Sequence, residues 1–309
     1  MVPLLSRVFL AGLTVAMAAA ILAAPPRPRL RPRGHAPAML DDALIAGDGV
    51  RLPMNLWRPN DPPEAIVLGL HGYGDYRRAF RLVGPWFGAR RLALYAYDQR
   101  GFGETDTRGQ WPGVRDLTED LAEAVGLLRA RHPDLPLILL GESMGGAVAL
   151  AALGQGLTSV DRLILAAPAV RGGIALRQVH DLALRLGTLA LPWLAVALRR
   201  GARPWLEPGE AARLADDPLI LRHISLGTYD GLIELATQAS IDPATPLPPT
   251  LLLYGELDAT IPKVAIDDLA GRLDGITVKL YPERHHLLLH ETAADAVFAD
   301  CLAWLDRPA

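Results

Sequence analysis

The chain has 309 residues and a formal net charge of −3, from 31 Lys+Arg against 34 Asp+Glu. That balance excludes a general polyanion binder, which carries a strong basic excess, so no nucleic-acid partner is expected. A composition of 50% hydrophobic and 21% charged residues is globular, and a single cysteine, Cys301, excludes both a disulfide framework and a zinc–cysteine cluster.

In chain order, the first feature is an uncharged run rich in Ala, Leu and Val, from Val8 to Ala24, which follows Arg7. A positive start before an apolar stretch has the form of a signal, and this one is long for a signal and short for a membrane span. Residues 1–24 are therefore expected to act as a membrane anchor or uncleaved signal. Cleavage near Ala16-Met17-Ala18, with export, is the alternative. Arg27, Arg29, Arg31 and Arg33 follow among prolines, and such charge tends to stay on the cytoplasmic side. Residues 25–40 read as a stiff Pro/Arg linker that could also touch anionic headgroups at a membrane surface.

Strand and helix signals then alternate. Ala43–Ala46 and Val50–Trp57 flank Gly47-Asp48-Gly49, which predicts a hairpin. Short apolar runs at Ala65–Leu70 and Leu92–Tyr97 predict buried strands, and Leu137–Leu140, Leu163–Ala167, Thr250–Tyr254 and Thr277–Tyr281 complete the strand list. Asp116–Ala130, Ala147–Leu153 and Ala293–Leu305 carry helical patterns. The order predicts an α/β architecture, a mostly parallel twisted sheet with helices on both faces, formed by residues 41–171 and 242–309. From Gly172 to about Ile241 no convincing strand is legible, only apolar helical pattern interrupted by Pro192, Pro204 and Pro208. Residues 172–241 therefore read as a helical cap inserted over the sheet edge.

Gly141-Glu142-Ser143-Met144-Gly145-Gly146 fits G-x-S-x-G, with an apolar strand before it and a small-residue helix after it. Glycines permit the sharp turn that lifts a serine hydroxyl above a sheet, and the helix start offers N–H groups to an oxyanion. A serine hydroxyl is a weak nucleophile, so an acid and a base must follow in the chain. Asp258, in the loop after Thr250–Tyr254, is the expected acid. The base lies after the last strand, where His285 and His286 stand side by side and sequence chemistry does not separate them. His286 and His290 could share a helical face and hold a metal, but no third ligand is evident and no metal or other cofactor is expected. His35, His132, His180 and His223 read as surface or cap residues. His71-Gly72-Tyr73-Gly74-Asp75 follows an early strand, so the Tyr73 and Met144 N–H groups are the expected oxyanion donors.

The segments His71–Asp75, Tyr97-Asp98-Gln99-Arg100-Gly101-Phe102-Gly103 and Gly141–Val148 together resemble the α/β-hydrolase family of monoacylglycerol lipases and lysophospholipases, a group also described as serine aminopeptidase-like. The resemblance runs in order from Asp41 to Leu305. It implies the α/β-hydrolase fold, an acyl-enzyme mechanism, and the catalytic histidine five residues after Tyr281, which is His286 rather than His285. Asp98 and Arg100 match a loop that the family uses for architecture. Phe102 and Thr105 depart from its usual His and Ser, and Cys301 matches no lid cysteine.

The expected function is hydrolysis of a small-molecule or lipid ester, with monoacyl lipids favoured by the apolar cap. A short-chain carboxylesterase or an aminopeptidase is the alternative, the latter requiring Glu207, Glu210, Asp216, Asp217 or Glu234 to hold a free amine. A ligand-binding scaffold on the same fold is the non-enzyme alternative. Acyl length and oligomeric state are not legible.

Overall fold

Buried apolar runs of six residues supply the central strands of the fold. In the structure, a computed structural model describing residues 32–171, 193–197 and 204–307, the strands are β1 (Ala38–Met39), β2 (Ala43–Ile45), β3 (Arg51–Trp57), β4 (Ala65–Leu70), β5 (Leu92–Tyr97), β6 (Leu137–Glu142), β7 (Arg162–Ala166), β8 (Ala195–Ala197), β9 (His223–Ser225), β10 (Thr250–Gly255) and β11 (Ile276–Tyr281, an edge strand that is mostly exposed). The helices are α1 (Val83–Gly88), α2 (Val114–Arg131), α3 (Met144–Gly154), α4 (Pro208–Asp216), α5 (Leu226–Gln238), α6 (Lys263–Arg272) and α7 (Asp295–Leu305), and a 3₁₀ turn covers Arg77–Phe80.

Among the described residues, nine strands form one sheet in the order β1-β2-β3-β5-β4-β6-β7-β10-β11. β5, β4, β6, β7, β10 and β11 run parallel, and β1, β2 and β3 are antiparallel. β4, β5, β6 and β10 are buried along their whole length, which is why they read as continuous apolar runs rather than alternating ones. Alternate residues serve opposite faces: Ile66, Leu68, Leu139, Leu165 and Leu252 pack with α2, α3 and α6. Val67, Ile138, Leu140, Ile164 and Leu253 pack with α1 and α7 on the other face.

The expected hairpin forms as β2 and β3, with Leu44 opposite Leu52. Its turn is fixed from below, because Arg100 donates to both Asp48 and Asp120. The linker as read from sequence ends at residue 40, yet Ala38–Met39 already pair with β2 as β1. Just before them, Arg33 is within 2.8 Å of Glu119, Asp120 and Glu123 on α2.

The 172–241 stretch differs from its all-helical expectation. β8 pairs antiparallel with β9, and three-residue strands this far apart in sequence leave no periodic signal. α4 starts where Glu207 accepts from the Glu210 N–H, with proline at its first position. α5 starts on Ser225, which accepts from the Thr228 N–H at 3.1 Å.

The expectation of membrane association is corrected. Among the described residues no helix is long and apolar enough to cross a membrane, and the apolar run Val8–Ala24 lies outside the described residues. Among the described residues nothing supports a signal or anchor.

Candidate active site

β6 ends in the elbow that the sequence announces. Ser143 has φ +49°, ψ −113°, a conformation disfavoured for any residue with a Cβ and held only where the surroundings over-determine it. The clamps are visible: the Ser143 N–H donates to the Ala166 carbonyl, and the Ser143 carbonyl accepts from Ala147 and Ala169. A Cβ at Gly145 would sit 2.0 Å from the Leu70 carbonyl oxygen, so only glycine lets α3 begin this close to β4.

β10 delivers the acid. Beyond Gly255, Asp258 Oδ1 accepts from the Thr260 and Ile261 N–H groups at 2.6 and 3.0 Å, which leaves Oδ2 for a partner. A Cβ at Gly255 would lie 2.4 Å from the carbonyl oxygens of Arg284 and His285, so glycine here lets the acid loop close on the histidine loop. That second loop leaves β11 and returns a hydrogen bond, Leu257 N–H to the Arg284 carbonyl at 2.9 Å.

The three residues meet. His286 Nδ1 lies 2.7 Å from Asp258 Oδ2, and Nε2 lies 3.0 Å from Ser143 Oγ. The Asp258 side chain is fully buried. With Nδ1 donating to the carboxylate, Nε2 is free to accept the serine proton, which is the arrangement that makes a hydroxyl nucleophilic. His285, the other sequence candidate, is turned away: its ring stacks on Trp205 at 4.2 Å and its N–H donates to Glu291.

The loop after β4 lies against the serine. A Cβ at Gly72 would touch Ser143 Cβ at 3.5 Å. His71, fully buried, accepts from the Gln99 N–H through Nε2, and Gln99 returns a bond to the His71 carbonyl. The Tyr73 ring packs edge-on against Phe102, and its hydroxyl donates to the His223 carbonyl at 3.3 Å. Met144 opens α3, where the first N–H groups have no partner within the helix. Asp98 and Arg100 are both buried in hydrogen-bonded frameworks, as the architectural expectation requires.

The acids considered as amine holders are differently employed. Glu210 is fully buried and bonded to Arg81, Arg213 and His290, Glu207 pairs with Arg81, and Asp217 accepts from the Tyr76 hydroxyl. Asp216 and Glu234 are exposed. His290 does not stand beside His286 as a metal ligand. It sits between Glu142 and Glu210, a cluster not legible in the sequence because its members are scattered from 142 to 290. His35 and His223 are exposed, His132 is half-buried against Tyr95, and His180 lies outside the described residues.

A mostly parallel sheet carrying a strained serine elbow after β6, with an acid after β10 and a histidine after β11, defines the α/β-hydrolase class. Residues 61–293 match the family model described as Hydrolase_4, serine aminopeptidase S33, and the chain belongs to that family. It is 29% identical over 266 residues to a monoacylglycerol lipase of Mycolicibacterium smegmatis, covering 83% of this chain and 93% of the relative. It is 26% identical over 280 residues to the Homo sapiens monoglyceride lipase, covering 85% and 89%. Among solved structures, it is similar to a soluble variant of monoglyceride lipase from Saccharomyces cerevisiae in complex with a substrate analog, with TM-score 0.72, 19% identity and coverage of 91% and 98%. A monoacylglycerol lipase from Paleococcus ferrophilus gives TM-score 0.69 at 17% identity, covering 82% and 98%. These two structural likenesses bear on the fold.

Proposed function

We propose that the chain is a serine ester hydrolase of the monoacylglycerol lipase type, acting through an acyl-enzyme. The observation that carries this is the continuous chain from Asp258 through His286 to Ser143 at the mouth of a strained elbow. Ser143 Oγ attacks the acyl carbon as its proton passes to His286 Nε2. The Tyr73 and Met144 N–H groups hold the oxyanion, and Asp258 stabilises the imidazolium. His286 then gives the proton to the departing alcohol, and water, activated by the same nitrogen, releases the acid. No step calls for a metal or cofactor.

The lipid class rests on the near full-length relatives named monoacylglycerol or monoglyceride lipase. Residues 172–241 act as the cap over the acyl site. The engagement of Glu207, Glu210 and Asp217 in ion pairs and hydrogen bonds disfavours peptide amines as substrates. The test is turnover by the full chain of monoacylglycerols of graded acyl length, short acyl esters and aminoacyl amides, with Ser143→Ala beside it. Ser143-dependent release of acid from monoacylglycerols is expected. Preference for aminoacyl amides overturns the reading.

A further inference from the structure

Beside the reacting residues lies a second histidine, held between two acids. His290 is 0% exposed, and each of its ring nitrogens meets a carboxylate: Nε2 is 2.9 Å from Glu142 Oε2 and Nδ1 is 2.9 Å from Glu210 Oε2. Glu142 and Glu210 are 1% and 0% exposed. A neutral imidazole has one N–H and one bare nitrogen, so one of the two contacts would set lone pair against lone pair. Both contacts are satisfied only when a second proton is present. That proton belongs on the imidazole, which is ordinarily more basic than a carboxylate by about two pH units.

The charge around the ring agrees. Glu142 faces it from β6, and Glu210 and Arg213 from α4. Arg81 pairs with Glu210 from the other side, and Arg213 extends the array by a bidentate pair to Asp75 at 2.6 and 2.7 Å. With Glu207, which also pairs with Arg81, the array holds four acids against Arg81 and Arg213, so a cation on His290 reduces a negative excess. Arg284, His285 and Glu291 of its own loop are engaged with one another.

We propose that His290 is a positioning residue that stays charged across neutral pH, a strut that sets the distance between nucleophile and base. Glu142 directly precedes Ser143, and His290 belongs to the loop that carries His286, its N–H closing a turn on the Leu287 carbonyl. The Glu142–His290 pair therefore spans the same gap as the Ser143–His286 hydrogen bond, and Glu210 ties the histidine end to α4. Burial opposes charge on the ring, but the two flanking carboxylates outweigh it and push the group up to about 10. The proposal rests on Ser143 and His286 as the reacting pair.

Nitrogen-15 NMR of the full chain with labelled histidine, at pH 5 to 9, reads the charge directly. One histidine with both ring nitrogens protonated throughout is expected, and titration of every histidine near its ordinary value overturns the proposal. The functional arm uses a soluble short ester. The wild type should lose kcat on an alkaline limb near pH 10, and Glu142→Gln should move that limb down by about one unit or more with KM little changed, because one favourable charge is gone. His290→Gln should cut kcat at pH 8 by about tenfold or more, with KM within about twofold, as loss of a geometric constraint does. An alkaline limb unmoved by Glu142→Gln, or undiminished kcat in His290→Gln, overturns the strut. The NMR and Glu142→Gln readings need no folded His290→Gln protein. Absence of Ser143-dependent turnover in the wild type would instead sink the hydrolase reading, and it would leave the NMR signature standing.

Discussion

Single atoms decide the elbow. At Gly145 the space for a Cβ is already taken by the Leu70 carbonyl, a backbone atom that cannot swing aside. Gly145→Ala must therefore move β4 or α3, at a cost of about 1–3 kcal/mol for overpacking, and should lower kcat because Met144 moves with the helix start. Equilibrium urea unfolding together with steady-state rates on one ester checks both parts. Asp258→Asn leaves the contact but presents the wrong group to Nδ1, and kcat should fall by about 10⁴-fold with little change in stability. Ionisation at Glu210 and His290 sets two stability flanks. Burial alone would raise Glu210, but the His290 hydrogen bond and the nearby cations outweigh it and bring the group down to about 2 from 4.5. Its contribution is present above pH 4.5 and lost as pH falls toward 2. His290 is raised, so its contribution is full below 6.5 and lost as pH rises through about 10. Urea midpoints against pH should decline on both sides, and Glu210→Gln should flatten the acid one.

Among the described elements, α4 adds a dense set of buried ion pairs to its apolar contacts through Leu214. Its residues Glu210 and Arg213 reach the histidine loop, the Arg81 turn and the loop after β4 at once. Arg213→Ala leaves Asp75 and Glu210 buried without their shared cation, which ordinarily costs about 3–5 kcal/mol. The measured loss should shrink when Asp75→Asn is added, as a double-mutant cycle by chemical denaturation will reveal. The principal strands were legible because buried runs such as Leu137–Leu140 and Leu251–Tyr254 carry their own signature, and their turns are punctuated by glycine. Ser143 and Asp258 were legible for the same reason, each following such a run. His286 needed the family resemblance, since nothing local separates it from His285 until Trp205 is seen stacked on the latter. α1, β8 and β9 were not legible, because α1 has under two helical turns and β8 and β9 are three-residue strands without a flanking glycine turn or buried run. The Asp75–Arg213–Glu210–His290–Glu142 array was not legible either, because a buried charge and a surface charge are the same letter until packing distinguishes them.

For the whole molecule, the sheet is the frame on which reactive groups are spaced. Leu165 sits opposite Gly141 on one side and Leu252 on the other, completely buried between the strand of the nucleophile and that of the acid. Leu165→Ala should cost about 2–5 kcal/mol by transfer and cavity terms together, read from the shift in urea midpoint at constant m-value. The order of strands in space is not their order in time. Ser143 belongs to β6, near the middle of the chain, whereas Asp258 and His286 follow β10 and β11, which join the sheet beside β7 at its far edge. During synthesis the ribosome thus delivers an elbow serine long before its acid and base. A half-made chain can display the hydroxyl but has nothing to deprotonate it, so no ester is cut until the final strands are extruded and docked. Appearance of activity in a timed translation reaction is therefore a direct clock for completion of the fold.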